Sequence, residues 1–300
     1  SFLIVLLISI FVFKLNRRVT NDLISEYQNE LLFSTSVQSS RFLDKFNHIY
    51  HEFILLSGID PLSQTDMEKA KPLAVNFLDR HKPYVDAVYI MNKNNKLLWA
   101  AGMGPGEVFD DIHRQNTVKK ISRIQKPVIS STFINPEKRY VIIIDAPLLF
   151  NETIAGSIST RMKWDSFLSW LEKGKTKSGC FTAITDAKGN IISYPNREYV
   201  GQNISALSPI MFNNVRVSPA ALLENNAGIV SGVLFNNRRY IMASHSIDLG
   251  ESRYLLMSYA PYSTISGFID KYSYHLGILA LTSFFVIALS LLIILLLFHL

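Results

Sequence analysis

The chain has 300 residues, of which 48% are hydrophobic, and a formal net charge of +6. Its lysines and arginines are scattered rather than gathered into a basic helix or an aromatic–basic stripe, which argues against nucleic acid as a partner. A single cysteine, Cys180, excludes an internal disulfide and says nothing about compartment.

An apolar run opens the chain, from Phe2 to Phe13, and Lys14 ends it. Twelve residues are too few to cross a hydrocarbon core of about 30 Å. Residues 1–13 therefore read as the end of a transmembrane helix whose earlier turns precede Ser1. A signal-peptide core is the alternative, but no A-x-A-like cleavage site follows Phe13. From Asp22 to Leu56 there is neither proline nor glycine. Leu23, Tyr27 and Leu31, then Phe42, Phe46, Ile49 and Phe53, recur at helical spacing. This predicts one long amphipathic helix of roughly 50 Å, ended by Gly58 and Pro61. Part of its polar middle, Ser34 to Ser40, is expected to face solvent or a second copy. His48 and His51 stand at a spacing that can serve a metal, but without further ligands nearby no metal or other cofactor is expected. A shorter helix over Gln64 to Lys82 completes residues 14–82, a stalk with connecting helices.

From Val85 the texture turns to β. Strands are predicted over Val85–Met91, Lys96–Ala101, Pro127–Phe133, Arg139–Leu149 and Thr153–Met162, with a helical stretch at Asp111–Ile124 and a helix at Trp164–Lys173. The order then repeats: Cys180–Thr185, Ile191–Tyr194, Gly228–Phe235, Arg239–Ile247 and Arg253–Ala260. Tyr89-Ile-Met-Asn-Lys-Asn-Asn-Lys-Leu-Leu parallels Ala183-Ile-Thr-Asp-Ala-Lys-Gly-Asn-Ile-Ile, and Lys138-Arg-Tyr-Val-Ile-Ile parallels Arg238-Arg-Tyr-Ile-Met-Ala. Two copies of an α+β unit fit this pattern, one over 83–175 and one over 176–272. Residues 273–300 hold an uncharged run of 23, Leu276 to Phe298, long enough to span a bilayer as a second transmembrane helix. The basic flanks (Lys14, Arg17, Arg18, Lys271) would by themselves put the middle of the chain in the cytoplasm, although long domains translocate largely regardless of charge.

The segment after the second repeat's first strand contains Asp186, Gly189, Ile191, Ile192, Tyr194, Pro195, Val200 and Gly201. It resembles the membrane-proximal signature of double Cache sensor domains, and the layout of the whole chain is similar to theirs. That resemblance implies an α+β fold: a long N-terminal helix, then two tandem PAS-like antiparallel-sheet modules, flanked by two transmembrane helices. It also implies a homodimeric receptor of the bacterial inner membrane, with residues 17–272 in the periplasm and a cytoplasmic output module: a histidine kinase, a diguanylate cyclase or phosphodiesterase, or a chemoreceptor stalk.

A small ligand would bind the membrane-distal module. There Arg114 matches the family's Asp-Arg-x-Tyr segment only at the arginine. Ser130, Ser131 and Phe133 correspond to a Ser-x-aromatic strand, Asp145 sits in the next strand, and Tyr89 and Trp99 would supply aromatic walls. Where amino-acid-binding members carry an aspartate that receives the ligand's ammonium, this chain has Arg161, which favours a carboxylate or other anion. The plain alternatives are an ion pair with Asp145 or Asp165 or a side chain in solvent for Arg161, a solvated helix position for Arg114, and the core for Trp99. The alternative function is a ligand-free dimerisation or interaction domain answering a periplasmic partner. Catalytic signatures such as H-E-x-x-H, G-x-S-x-G or a Walker loop are missing from the sequence, so this segment is not expected to be an enzyme.

Overall fold

The computed structural model describes residues 2–299 apart from 64–65, 103–119, 122, 131, 135–139, 173–178, 208–210, 213–214, 217, 225–226 and 236–237. The apolar opening and the stalk are one helix, α1, running from Phe2 to Ser57. At 1.5 Å per residue it is a rod of roughly 84 Å. Short α2 (Asp60–Ser63) and then α3 (Met67–His81) turn back beside it. The Asp66 carboxylate caps α3 by accepting from the backbone N–H of Lys69.

Two sheets follow. The first contains β1 (Val85–Asn92), β2 (Leu97–Ala101), β3 (Val128–Ile129), β4 (Phe133–Ile134), β5 (Tyr140–Phe150) and β6 (Thr153–Lys163). α4 (Trp164–Glu172) leads to the second, which is made from β7 (Phe181–Asp186), β8 (Ile191–Ser193), β11 (Ala227–Phe235), β12 (Arg238–Leu249) and β13 (Ser252–Pro261). Between β8 and β11 lie α5 (Ile204–Leu207), the two-stranded ribbon β9 (Met211–Phe212) and β10 (Val215–Arg216), and α6 (Pro219–Glu224). α7 (Tyr262–His299) closes the chain.

The path through the first sheet is β2-β1-β6-β5-β3, and through the second β8-β7-β13-β12-β11. Counted within each module this is the same order, so the repeat seen in the sequence is a repeat of topology. The single strand expected over Pro127–Phe133 is instead two short ones, both paired to β5.

α1 runs past both modules and joins them through one core. Phe42, Phe46, Ile49 and Phe53 are buried with Ile90, Ile144 and Ile158 of the first sheet and Ile184, Ile247 and Leu256 of the second. Trp164 stacks on Phe42 with ring centroids 5.4 Å apart. The polar middle of α1 is divided: Ser34 and Ser40 face solvent, as expected of part of it, and the rest turns inward. Thr35 and Ser39 are buried, Ser39 donates to the Ser246 carbonyl, and the Gln38 side chain accepts from Thr182 and Ser258. Polar groups suit this stretch because the second sheet turns hydroxyls toward it. Among the described residues one helical span, Tyr262–Ser290, is long and apolar enough to cross a membrane.

Candidate functional site

Directly opposed residues of an antiparallel pair share a face, so the register reads out each surface of a sheet. On the first sheet Val88, Ile90, Ile142, Ile144 and Ile158 turn to the α1 core. The other face carries a different set. One row across it is Tyr89, Ser159, Asp145 and the next is Ala87, Arg161, Ile143. Ser157 stands beside them in the row of Met91 and Pro147. Ser130 borders this face, its hydroxyl accepting from the Ile143 backbone N–H at 2.9 Å.

These side chains are buried: Tyr89 is 1% exposed, Asp145 4% and Arg161 7%. Burying charge requires partners. Asp145 accepts the Ser159 hydroxyl, yet burial pushes its carboxyl up to about 7, the hydroxyl pulling the other way. Arg161 Nε donates to Asp86 Oδ1 at 2.7 Å. A register shift between Val85 and Ala87 brings Asp86 opposite Arg161, as a bulge does. Among the described residues Arg161 thus pairs with Asp86 rather than with Asp145 or Asp165. Asp165 instead accepts from Ser193 at 3.3 Å and lies 3.6 Å from the Arg197 guanidinium.

The structure therefore brings Tyr89, Asp145, Arg161 and Ser130 to one face. Trp99 is not among them. It pairs with Ile90 and packs against the α1 core, so it stands on the opposite side of the sheet. Arg114 and Ser131 lie outside the described residues, and Phe133 is placed only by the pairing of its backbone with Val141. Sequence reasoning missed Asp86, Ser157 and Ser159. The two serines carried a usable signal, since Ser157, Ser159 and Arg161 alternate in a strand and so share a face. Asp86 carried none, because only the bulge aims it.

The equivalent face of the second sheet is filled. Phe181, Tyr194, Tyr240 and Tyr259 pack together there, with Phe181 stacked on Tyr259 at 4.6 Å and Tyr194 edge-on to Phe181 at 5.2 Å. Met242, Leu255 and Met257 complete the cluster. Two modules of one topology thus differ in chemistry on this face: aromatic and apolar near α7, hydroxylic and charged in the first module. A guanidinium and a carboxyl one strand-row apart, among hydroxyls, can hold a small polar molecule by hydrogen bonds and charge.

No protein-family model matches the chain, and no curated protein matches it. Solved structures do. The periplasmic sensory domain of the Campylobacter jejuni chemoreceptor Tlp1 superposes with a TM-score of 0.58 at 14% identity, covering 81% of this chain and 98% of that one. The ligand-binding domain of the Pseudomonas aeruginosa amino-acid chemoreceptor PctB, in complex with L-Arg, gives 0.56 at 12% identity over 80% and 97%. That of the Pseudomonas fluorescens chemoreceptor CtaA, in complex with L-isoleucine, gives 0.55 at 12% over 83% and 98%. The fold is that of periplasmic chemoreceptor sensory domains, the double Cache arrangement whose signature the sequence resembles.

Proposed function

We propose that this chain is the extracytoplasmic sensing part of a two-pass receptor of the bacterial inner membrane, which binds a small carboxylate-bearing molecule on the outer face of its first sheet. The observation that carries this reading is the contrast between the two modules: one outer face is plugged with aromatic rings, the other presents Tyr89, Asp145, Ser159 and Arg161. Polar groups buried on an otherwise apolar sheet are retained for a partner more readily than for stability.

The charge balance narrows the ligand. Arg161 by itself suggested an anion, but Asp86 compensates it and Asp145 adds a second carboxyl nearby. A molecule carrying an ammonium as well as a carboxylate matches that balance better than a bare anion. Binding of amino acids by the similar chemoreceptor domains supports the same reading. Two copies work together in this reading, along stretches of α1 where Phe33 is 71% exposed. The signal leaves through β13, which runs without interruption into α7.

The test is a thermal-shift screen of the full chain in detergent against amino acids and against simple mono- and dicarboxylates. An amino acid is expected to raise the melting temperature in a concentration-dependent way, by mass action on the folded state. Arg161→Ala and Asp145→Asn should each abolish that rise. Stabilisation by no compound of either set would turn the assignment to a ligand-free interaction domain.

A further inference from the structure

A cleft of about 340 Å³ opens where the two modules meet, and none of Tyr89, Asp145 or Arg161 lines it. Tyr84 and Tyr140 wall it from the first module, Trp170 and Asp165 from α4, and Arg197 from the signature segment of the second module. Lys163, the last residue of β6, reaches into it as well. The modules are close at this place: a Cβ added at Gly201 would lie 3.6 Å from the Tyr140 hydroxyl.

We infer that this cleft is a second ligand site, for a monoanionic aromatic or heteroaromatic carboxylate. The volume suits a small ring compound, falling at the low end of the roughly 300–1,000 Å³ of ligand pockets. Three aromatic rings offer a planar ligand faces and edges to pack on. The charges sort the anion. Lys163 and Arg197 are positive and Asp165 is negative, a net of one positive charge, which accepts a monocarboxylate and disfavours a dianion.

Both cations are also available for exchange. Among the described residues Lys163 donates to one backbone carbonyl, that of Lys82, at 3.2 Å. Arg197 is 72% exposed and sits 3.6 Å from Asp165, beyond hydrogen-bond length, while Asp165 keeps Ser193 as a donor. A ligand carboxylate reached by both would replace weak contacts with charge-assisted ones. Because its walls come from both modules and the helix between them, such a ligand fixes the modules in one relation. This site is separate from the outer face of the first sheet, so its test stands whatever that face binds.

The experiment titrates the full chain in detergent with benzoate and with phenylacetate, followed by tryptophan fluorescence and by saturation-transfer NMR of the probe. Cyclohexanecarboxylate and benzyl alcohol serve as ring and charge controls. Both aromatic acids are expected to bind and both controls to bind at least about tenfold more weakly, a loss in the range of one charged hydrogen bond. Arg197→Gln and Lys163→Gln should each weaken benzoate by about tenfold or more, and Ser169→Trp, which fills the cleft without removing a charge, should abolish binding. The exposed Arg238→Gln should leave it unchanged. Absence of binding by either acid at millimolar concentration overturns the inference, and so does binding that all three cleft variants retain with an unaltered melting temperature.

Discussion

Burial lifts the Asp145 carboxyl from its ordinary 3.8 up to about 7 because no cation compensates it among the contacts described. The folded protein therefore holds a proton that the unfolded chain releases above pH 4. By linkage, folding is favoured at the acid side of that window, and stability falls as pH rises from about 4 through about 7. Asp145→Asn keeps the shape and the Ser159 contact without the titration. Denaturant melts at pH 5 and pH 8 are expected to show wild type losing stability on going to pH 8 and the variant staying nearly level. An ammonium-bearing ligand has the opposite dependence, since it favours the ionised carboxylate, so its affinity should drop on going from pH 8 to pH 5. Equal slopes for wild type and variant would mean that Asp145 is not the buried acid. At this scale the resemblance to double Cache domains, rather than strand alternation, marked Asp145, Arg161, Ser130 and Tyr89 in the sequence. It could not assign Trp99 to the α1 side, because side follows from register with Ile90, nor find Asp86, which a bulge aims. His48 likewise looks toward His51 in sequence. In space it meets the Glu52 carboxylate at 3.2 Å, where His81 and Arg80 of α3 also bond, at 2.9 and 3.0 Å.

The segment that borders the polar face also touches the second module. Ser130 follows β3, and Thr132 two residues on donates its hydroxyl to Tyr254 Oη at 2.8 Å while accepting from Trp164 Nε1 at 3.1 Å. Ile129 lies against Gly250, where an added Cβ would come within 3.3 Å, and Lys120 pairs with Glu251. The β3–β4 region thus rests on the turn between β12 and β13, and β13 continues into α7. A ligand that shifts β3 would have a packed, hydrogen-bonded route to α7, and small shifts of helices suffice in allosteric transitions. Thr132→Val leaves the volume and strands the Trp164 donor and the Tyr254 acceptor, a loss of about 1–2 kcal/mol in denaturant unfolding. Its sharper consequence is uncoupling. Ligand affinity should remain within about twofold of wild type, while the ligand-induced change in distance between spin labels on α1 and α7 disappears. A wild-type response in this variant would assign transmission to another contact. Most helices and strands could be read from the sequence because their periodicities are long and unbroken. The strand over Pro127–Phe133 could be read but its split into β3 and β4 could not, since the side chain of Ser130 bonds to β5 where continuous strand pairing was expected.

The two ends of the molecule meet. The Ser273 hydroxyl donates to Asn16 Oδ1 at 3.1 Å, three residues after Phe13 on α1 and three before Leu276 on α7. The apolar stretches of both helices therefore begin at one level, side by side, as they must if both enter the same bilayer from the same side. Sequence alone supplied the two runs and the soluble repeat between them. It could not supply this juxtaposition, because a contact across 257 positions has no local signature. The basic flanks, counted alone, point to the cytoplasm, opposite to the proposed orientation. A single experiment addresses both matters. In a Cys180→Ser background, Asn16→Cys with Ser273→Cys puts two thiols at positions whose side chains touch across α1 and α7. In the periplasm such a pair oxidises spontaneously, whereas the cytoplasm keeps it reduced. Non-reducing gels of cells quenched with a thiol-blocking reagent are expected to show an intramolecular bridge, visible as a mobility shift that reductant removes. A pair that stays reduced in cells but closes on adding an oxidant to isolated membranes would keep the helix contact and reverse the orientation. Failure to close under either condition would separate the two helices and remove the shared membrane level.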